Sequence, residues 1–108
     1  MPIHHHPHAT HPCSKEIEGH AIGSDVSLIF NFLDAPGQGP DLHRHPYAET
    51  FILREGEVSF VIGSESVEAR AGQVLVAPPG VPHSFRSKSA RVDMIDIHAS
   101  PHFVTEWL

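Results

Sequence analysis

His43-Arg44-His45, Glu49 and the distant His83 are the residues of this chain best suited to chemistry. In an extended segment residues i and i+2 share a face, so His43 and His45 project together while Arg44 points the other way. They make a two-pronged nitrogen ligand. Glu49 opens the next strand-like run and shares its face with Phe51 and Leu53, which directs its carboxylate inward, where it needs a compensating cation. His83 follows a "PPG" turn with Phe85 on its own face, and brings a third imidazole from a rigid corner. Three imidazoles and one carboxylate cage a divalent first-row ion, and an octahedral ion keeps two positions for water or substrate. Phe51, Leu53, Phe60, Phe85 and Phe30 are expected to wall a dry pocket around it. Tyr47 either reaches the substrate or packs over the mouth.

Asp96 and His98 share one strand face. Turned inward they would be a proton-transfer pair or a brace for a ligand histidine. Val92 and Met94 lie on their face and Ile95 and Ile97 on the other, so the inward side is open, and an outward polar pair is the preferred reading. Arg44, Arg54 and Arg86 fall opposite the inward positions of their strands.

The elements that must position these groups are short strands. Val26, Leu28, Phe30 and Phe32 alternate along a strand with one apolar face. "DAPGQGPD" breaks it. Glu49–Arg54 and Val58–Ile62 are expected to form a tight hairpin through Glu55 and Gly56. "GSES" is a turn and "SVEAR" an exposed strand. The consecutive Val74, Leu75 and Val76 suggest burial on both faces, and Pro79-Gly80 suits the centre of a type II turn. "ARVDMIDIHAS" supplies a last strand and "PHFVTEWL" an apolar tail that docks. No window carries helical periodicity with caps at both ends. The expectation is one all-β domain over residues 21–108, preceded by a flexible, His-rich tail over 1–20.

Composition narrows the partners. The chain has 108 residues, enough for one modest core. Thirteen acidic against seven basic residues give a formal charge of -6, so the field that would gather nucleic acid is missing. Cys13 is the only cysteine, which excludes an intrachain disulfide or thiolate cluster. No apolar membrane span or secretory stretch is present, and a cytoplasmic protein is the expectation. Eleven histidines are the outlier, five of them in "HHHPHATH". Pro7, Ala9 and Thr10 interrupt that run, unlike an affinity tag. It is either a metal-gathering tail or a mobile polar terminus, the latter being preferred. Cys13 reads as a spectator. Dinucleotide, P-loop and nucleophile-elbow glycine frameworks are missing.

Two motifs carry a family resemblance. Gly37, His43, His45, Glu49 and Gly56 stand at the spacings glycine, five residues, HxH, three residues, Glu, six residues, Gly. Gly72, Pro78, Gly80 and His83 follow as glycine, five residues, Pro, one residue, Gly, two residues, His. Together they resemble the two motifs of the cupin superfamily, over about Asp25 to His98. Ser87 stands where the family has asparagine, a departure that bears on loop geometry rather than on the metal. The resemblance implies a single-domain jelly-roll β-barrel in which His43, His45, Glu49 and His83 hold one divalent transition metal (Fe, Mn, Ni, Cu or Zn). It also implies homodimers through edge strands. The activity expected is metal-dependent and dioxygenase-like, on a small organic molecule. The alternatives are a non-catalytic small-molecule or metal sensor and a barrel that uses metal only for stability.

Overall fold

The computed structural model describes residues 6–10 and 13–108. The strands are β1 (Lys15–Ile17), β2 (Ser27–Leu33), β3 (His43–Arg44), β4 (Glu49–Glu55), β5 (Glu57–Ile62), β6 (Glu65–Arg70), β7 (Val74–Ala77), β8 (His83–Ser87), β9 (Val92–His98) and β10 (Glu106–Trp107). One turn of 3-10 helix, Gly19–Ala21, stands between β1 and β2. The strands form two antiparallel sheets, ordered β1-β2-β9-β4-β7 and β10-β3-β8-β5-β6, the two layers of an all-β jelly roll. No helix among the described residues is long and apolar enough to cross a membrane.

The core is built from the inward parity of the central strands. Phe51 and Leu53 of β4, Val58 and Phe60 of β5, and Val92 and Met94 of β9 are at most 1% exposed. Towards one end of the same strands the inward positions turn polar, with Glu49, Asp96 and His98 in the first sheet and His83 in the second, all buried. A dry core thus supports a polar floor.

Four expectations need correction. Residues Glu49–Arg54 and Val58–Ile62 do not pair as a hairpin: β4 and β5 lie in different sheets, and Gly56 turns the corner between them. Its φ is 92°, and a Cβ there would lie 2.2 Å from the Arg91 carbonyl oxygen, so the corner admits only glycine. Val74 and Val76 are 61% and 50% exposed rather than buried, because β7 is an edge strand that turns only Leu75 and Ala77 to the core. In β2 the parity is the reverse of the one expected. Ile29, Asn31 and Leu33 face inward, and Phe30 and Phe32 lie on the other face. Both parities of β2 carry large apolar residues, and the odd face is the one with polar bonds inward: the buried Ser27 hydroxyl donates to the Ser100 carbonyl just beyond β9, and the half-buried Asn31 amide donates to Asp96 of β9. Finally, the sheet begins before residue 21, since Lys15–Ile17 pairs with Leu28–Phe30. Within the His-rich segment residues 6–10 form neither helix nor strand, while His4, His5 and His11 lie outside the described residues.

Candidate metal centre

β3 and β8 place His43 directly across from His83 in one sheet, and β4 and β9 place Glu49 across from His98 in the other. His45 follows β3, where its carbonyl accepts the Gly80 N–H at 2.7 Å. The turn that delivers His83 closes by a bond from the Val81 N–H to the Pro78 carbonyl, with Gly80 at φ 76°, the type II turn expected. The donor atoms of His43, His45, Glu49 and His83 all lie within 4.8 Å of one another, and the four residues are at most 6% exposed.

The tautomers follow from the outer partners. Nδ1 of His43 lies 2.7 Å from the Asp41 carbonyl, Nδ1 of His45 2.8 Å from that of Val104, and Nδ1 of His83 3.0 Å from that of Val81. A carbonyl only accepts, so each ring keeps its proton on Nδ1 and leaves a lone pair on Nε2. Nε2 of His45 and of His83 stand 2.9 and 3.0 Å from Glu49 Oε1. Lone pairs that close to a buried carboxylate repel unless a proton or a cation lies among them. His45 Nε2, buried without a hydrogen bond of acceptable geometry, marks the same demand. Bonds of about 2.1 Å at right angles would hold neighbouring donors about 3.0 Å apart, the spacing observed. The residues therefore fit a six-coordinate divalent ion.

Electrostatics agree. Burial pushes the Glu49 carboxyl up, but His45, His83 and His98 outweigh it and hold the group well below the carboxylate range. Burial pulls His83 down, but its bond to Glu49, its bond to the Val81 carbonyl and the Glu49 charge together outweigh it, so His83 ends above its ordinary value. Burial holds His43 below its ordinary value despite the Asp41 carbonyl.

Asp96 and His98 face inward, at 2% and 3% exposure, which corrects the outward reading. The Tyr47 hydroxyl accepts the Val104 N–H at 3.3 Å and lies 2.6 Å from His98 Nδ1; with the Glu49 carboxylate beside His98 Nε2, the arrangement in which no two acceptors face each other has Tyr47 donating to Nδ1. That leaves the His98 proton on Nε2, 3.1 Å from Glu49 Oε2 though off the hydrogen-bonding axis. His98 thus braces the carboxylate oxygen that the ligand imidazoles do not face. Asp96 Oδ2 accepts from Asn31 Nδ2 at 2.6 Å. Burial, then the Glu49 charge, push Asp96 well above its ordinary value, which favours its neutral form.

A raised carboxyl contributes stability that is complete below its unfolded value and is lost as pH rises through its folded one. Asp96→Asn keeps a neutral group of the same shape, with an oxygen that still accepts from Asn31 and a donor in place of the acid O–H. It should leave stability at pH 5 within about 1 kcal/mol of the parent and remove the alkaline decline. Thermal melts at pH 5 and pH 8 check this, and a variant hurt more at pH 8 would show that the ionised form is the one the fold uses.

A cavity of about 450 Å³ opens above the cluster. Of the phenylalanines expected to wall it, Phe85 does. Phe51 and Phe60 are closed core beneath, as is Leu53, and Phe30 lies on the opposite face of β2. Tyr47 stacks on His45 at 5.0 Å and packs at the site rather than lining the cavity. Further walls come from Glu16 of β1, from Ile29, Asn31 and Leu33 of β2, from Gly39-Pro40, and from Phe103, Thr105 and Trp107. The C-terminal trio alternates as i, i+2, i+4, a pattern visible in "FVTEW"; the β2 contribution was hidden by its two-sided apolar pattern. Trp107 lies 5.0 Å from the His43 ring. Ser87, in the family's asparagine place, is buried and donates to the Ala35 carbonyl while accepting the Gln38 N–H, so the loop is still held. Arg44, Arg54 and Arg86 point outward to Glu106, Asp93 and Asp41, and Cys13 is free and exposed.

Known proteins resemble this chain in sequence or in fold. A polyketide synthase CurC of Streptomyces cyaneus is 28% identical over 81 residues, which is 74% of this chain and 53% of that protein. The chain thus spans about half the length of this curated relative. The solved oxalate decarboxylase of Bacillus subtilis superposes with a TM-score of 0.77 at 21% identity, covering 88% of this chain and 27% of that one. A salicylate 1,2-dioxygenase of Pseudaminobacter salicylatoxidans does so with a TM-score of 0.65 at 22% identity, covering 71% and 22%. Residues 31–98, which hold His43, His45, Glu49 and His83 and both motifs, match the family model of the cupin domain, and the chain is a member of that family.

Proposed function

We propose that this cupin is a metal-dependent, dioxygenase-like enzyme that acts on a small organic molecule, with His43, His45, Glu49 and His83 holding the ion. One observation carries the reading: four buried donors with fixed tautomers converge at the floor of an apolar cavity of about 450 Å³. A bound divalent transition ion supplies Lewis acidity and, where redox-active, electrons for O₂. The protein's own groups do the rest. Phe85, Phe103 and Trp107 place the substrate and exclude water. His98, set by Tyr47, keeps Glu49 turned toward the other ligands. The described cavity lining contains no lysine or arginine, which favours a neutral or weakly acidic oxygen chelator over a multiply charged anion. The dioxygenase and decarboxylase among the fold's relatives support the class of chemistry only.

The test is O₂ uptake by protein reconstituted with Fe(II) or Mn(II), against a panel of hydroxylated aromatic acids and hydroxyketones. Uptake that disappears in His45→Ala is expected. Saturable binding without turnover would replace the enzyme by a sensor module.

Homodimerisation is part of the same proposal. Val74 and Val76 on edge strand β7 continue an outer sheet face through Ile52, Ile95 and Ile97, the kind of apolar surface a second copy covers. Light scattering should find a dimer, and Val74→Asp with Val76→Asp a monomer. A monomeric parent would remove the dimer from the proposal.

A further inference from the structure

Outside the cavity, Glu18, His20 and His102 bring a second set of donor atoms within 4.8 Å of one another. We propose that these three residues form a peripheral site for an imidazole-preferring cation of the Zn(II) type, separate from the buried centre.

The distances point to a shared ligand rather than to direct bonding. His20 Nε2 lies 3.5 Å from Glu18 Oε1, and His102 Nδ1 lies 3.7 Å from Glu18 Oε2. Both exceed the N···O range of hydrogen bonds, about 2.7–3.2 Å. Ligand bonds of about 2.0–2.1 Å at tetrahedral angles put neighbouring donors about 3.3 Å apart, so small side-chain adjustments complete the cage. The two imidazoles are stacked, with centroids 4.4 Å apart and planes at 21°, and each turns a nitrogen toward the one carboxylate. Their side chains are 51% and 59% exposed and that of Glu18 is 39% exposed, so an ion can enter from solvent.

The backbone around the three residues is held in place. The Ser27 hydroxyl accepts the Gly19 N–H at 2.9 Å and donates to the Ser100 carbonyl at 2.7 Å. The His20 N–H donates to the Pro101 carbonyl at 3.0 Å. These bonds clip the 3-10 turn to the segment that carries His102. Glu18 Oε2 also accepts the Phe103 N–H at 3.0 Å, the outer-partner arrangement that orients a ligating carboxylate. Phe103 then presents its ring to His98 at 4.9 Å and walls the cavity. An ion on Glu18, His20 and His102 therefore pins the C-terminal wall of the inner site.

The histidine run gives the site a feed. His6 and Pro7 line the same surface depression as Glu18 and His20, and Lys15 Nζ donates to the Pro7 carbonyl at 3.1 Å. His6 and Pro7 thus lie against the site, and weak chelation by several imidazoles of the run would raise the local concentration of the ion there.

Titration of the metal-free full chain with Co(II), followed by Zn(II) competition and elemental analysis, tests the site. Four-coordinate Co(II) absorbs intensely in the visible and six-coordinate Co(II) weakly, so the outer ion is read apart from the inner one. An intense band is expected, absent from the His20→Ala, His102→Ala double variant, whose Zn(II) affinity at this site falls on the order of a hundredfold. Glu18→Gln should weaken it similarly, and replacing the five histidines of residues 4–11 by asparagine should leave the band but require more metal. A band that survives the double variant, or that disappears only with the tail substitutions, would overturn the proposal. Because the readout follows His20 and His102, it holds whether or not the buried cluster takes an ion.

Discussion

Glu49→Gln is expected to fold and to lose its divalent ion. Glu49 Oε1 is the one oxygen that both His45 and His83 face, and it supplies the only negative charge of the four-donor set. A glutamine amide fills the same space and can donate to the Nε2 lone pairs, so the metal-free variant satisfies the buried imidazoles without a cation. Metal affinity, by contrast, loses a charged ligand and should fall by more than the roughly 10–100-fold typical of removing an outer partner. Glu49→Ala separates the two effects. It loses the ion as well, and it also strips partners from three buried rings, at a cost of about 3 kcal/mol or more. Elemental analysis after dialysis, with urea melts beside it, reads both. Full stoichiometry in Glu49→Gln would mean that the cluster is not the metal centre.

That site was legible because its chemistry is local. HxH at period two, a carboxylate on an apolar strand face and a proline-glycine corner before His83 each have one geometric reading, and the four groups meet as those readings require. What the sequence hid depended on neighbours. Glu55-Gly56 looks like a hairpin turn, and only the arrangement of two sheets shows it as a corner between them. Val74 to Val76 read as doubly buried because an apolar run cannot report that its strand lies at an edge. In β2 the even residues are the more aromatic, yet the odd face carries the inward bonds of Ser27 to Ser100 and of Asn31 to Asp96, partners that a reading of β2 alone does not contain. Asp96 and His98 were ambiguous for the same reason, since the hydrophobic residues of β9 are divided between its two faces, and the polar partners that draw it inward, Asn31, Tyr47 and Glu49, come from other strands.

Chelation of the metal-loaded protein at pH 8 should lower its melting temperature by roughly 10–30 °C, since an ion held at 100 to 1,000 times its Kd contributes about 3–4 kcal/mol and each kcal/mol moves a domain of this size by about 4–8 °C. Acid should close that gap. Every ligand imidazole must offer a bare Nε2 to the ion, so protons compete as pH falls below about 6.5. Metal-free, the two shifted ligand histidines act in opposite directions. His83 lies above its ordinary value, so its contribution is complete below the unfolded pKa and is lost as pH rises through the folded one. His43 lies below its ordinary value, so its contribution is present above the unfolded pKa and is lost as pH falls through the folded one. These two terms oppose each other between pH 8 and pH 5, the raised Asp96 carboxyl adds stability toward the acid side, and Glu49, held far down by its imidazoles, stays ionised throughout that window. The loaded protein has no such compensation, because binding requires both rings neutral. Its melting temperature should therefore descend onto that of the chelated protein near pH 5, with the ion appearing in the dialysate. Paired melts at pH 8, 6.5 and 5 with elemental analysis decide the matter: a loaded protein that keeps both its metal and its full advantage at pH 5 would be incompatible with imidazole ligation at this centre.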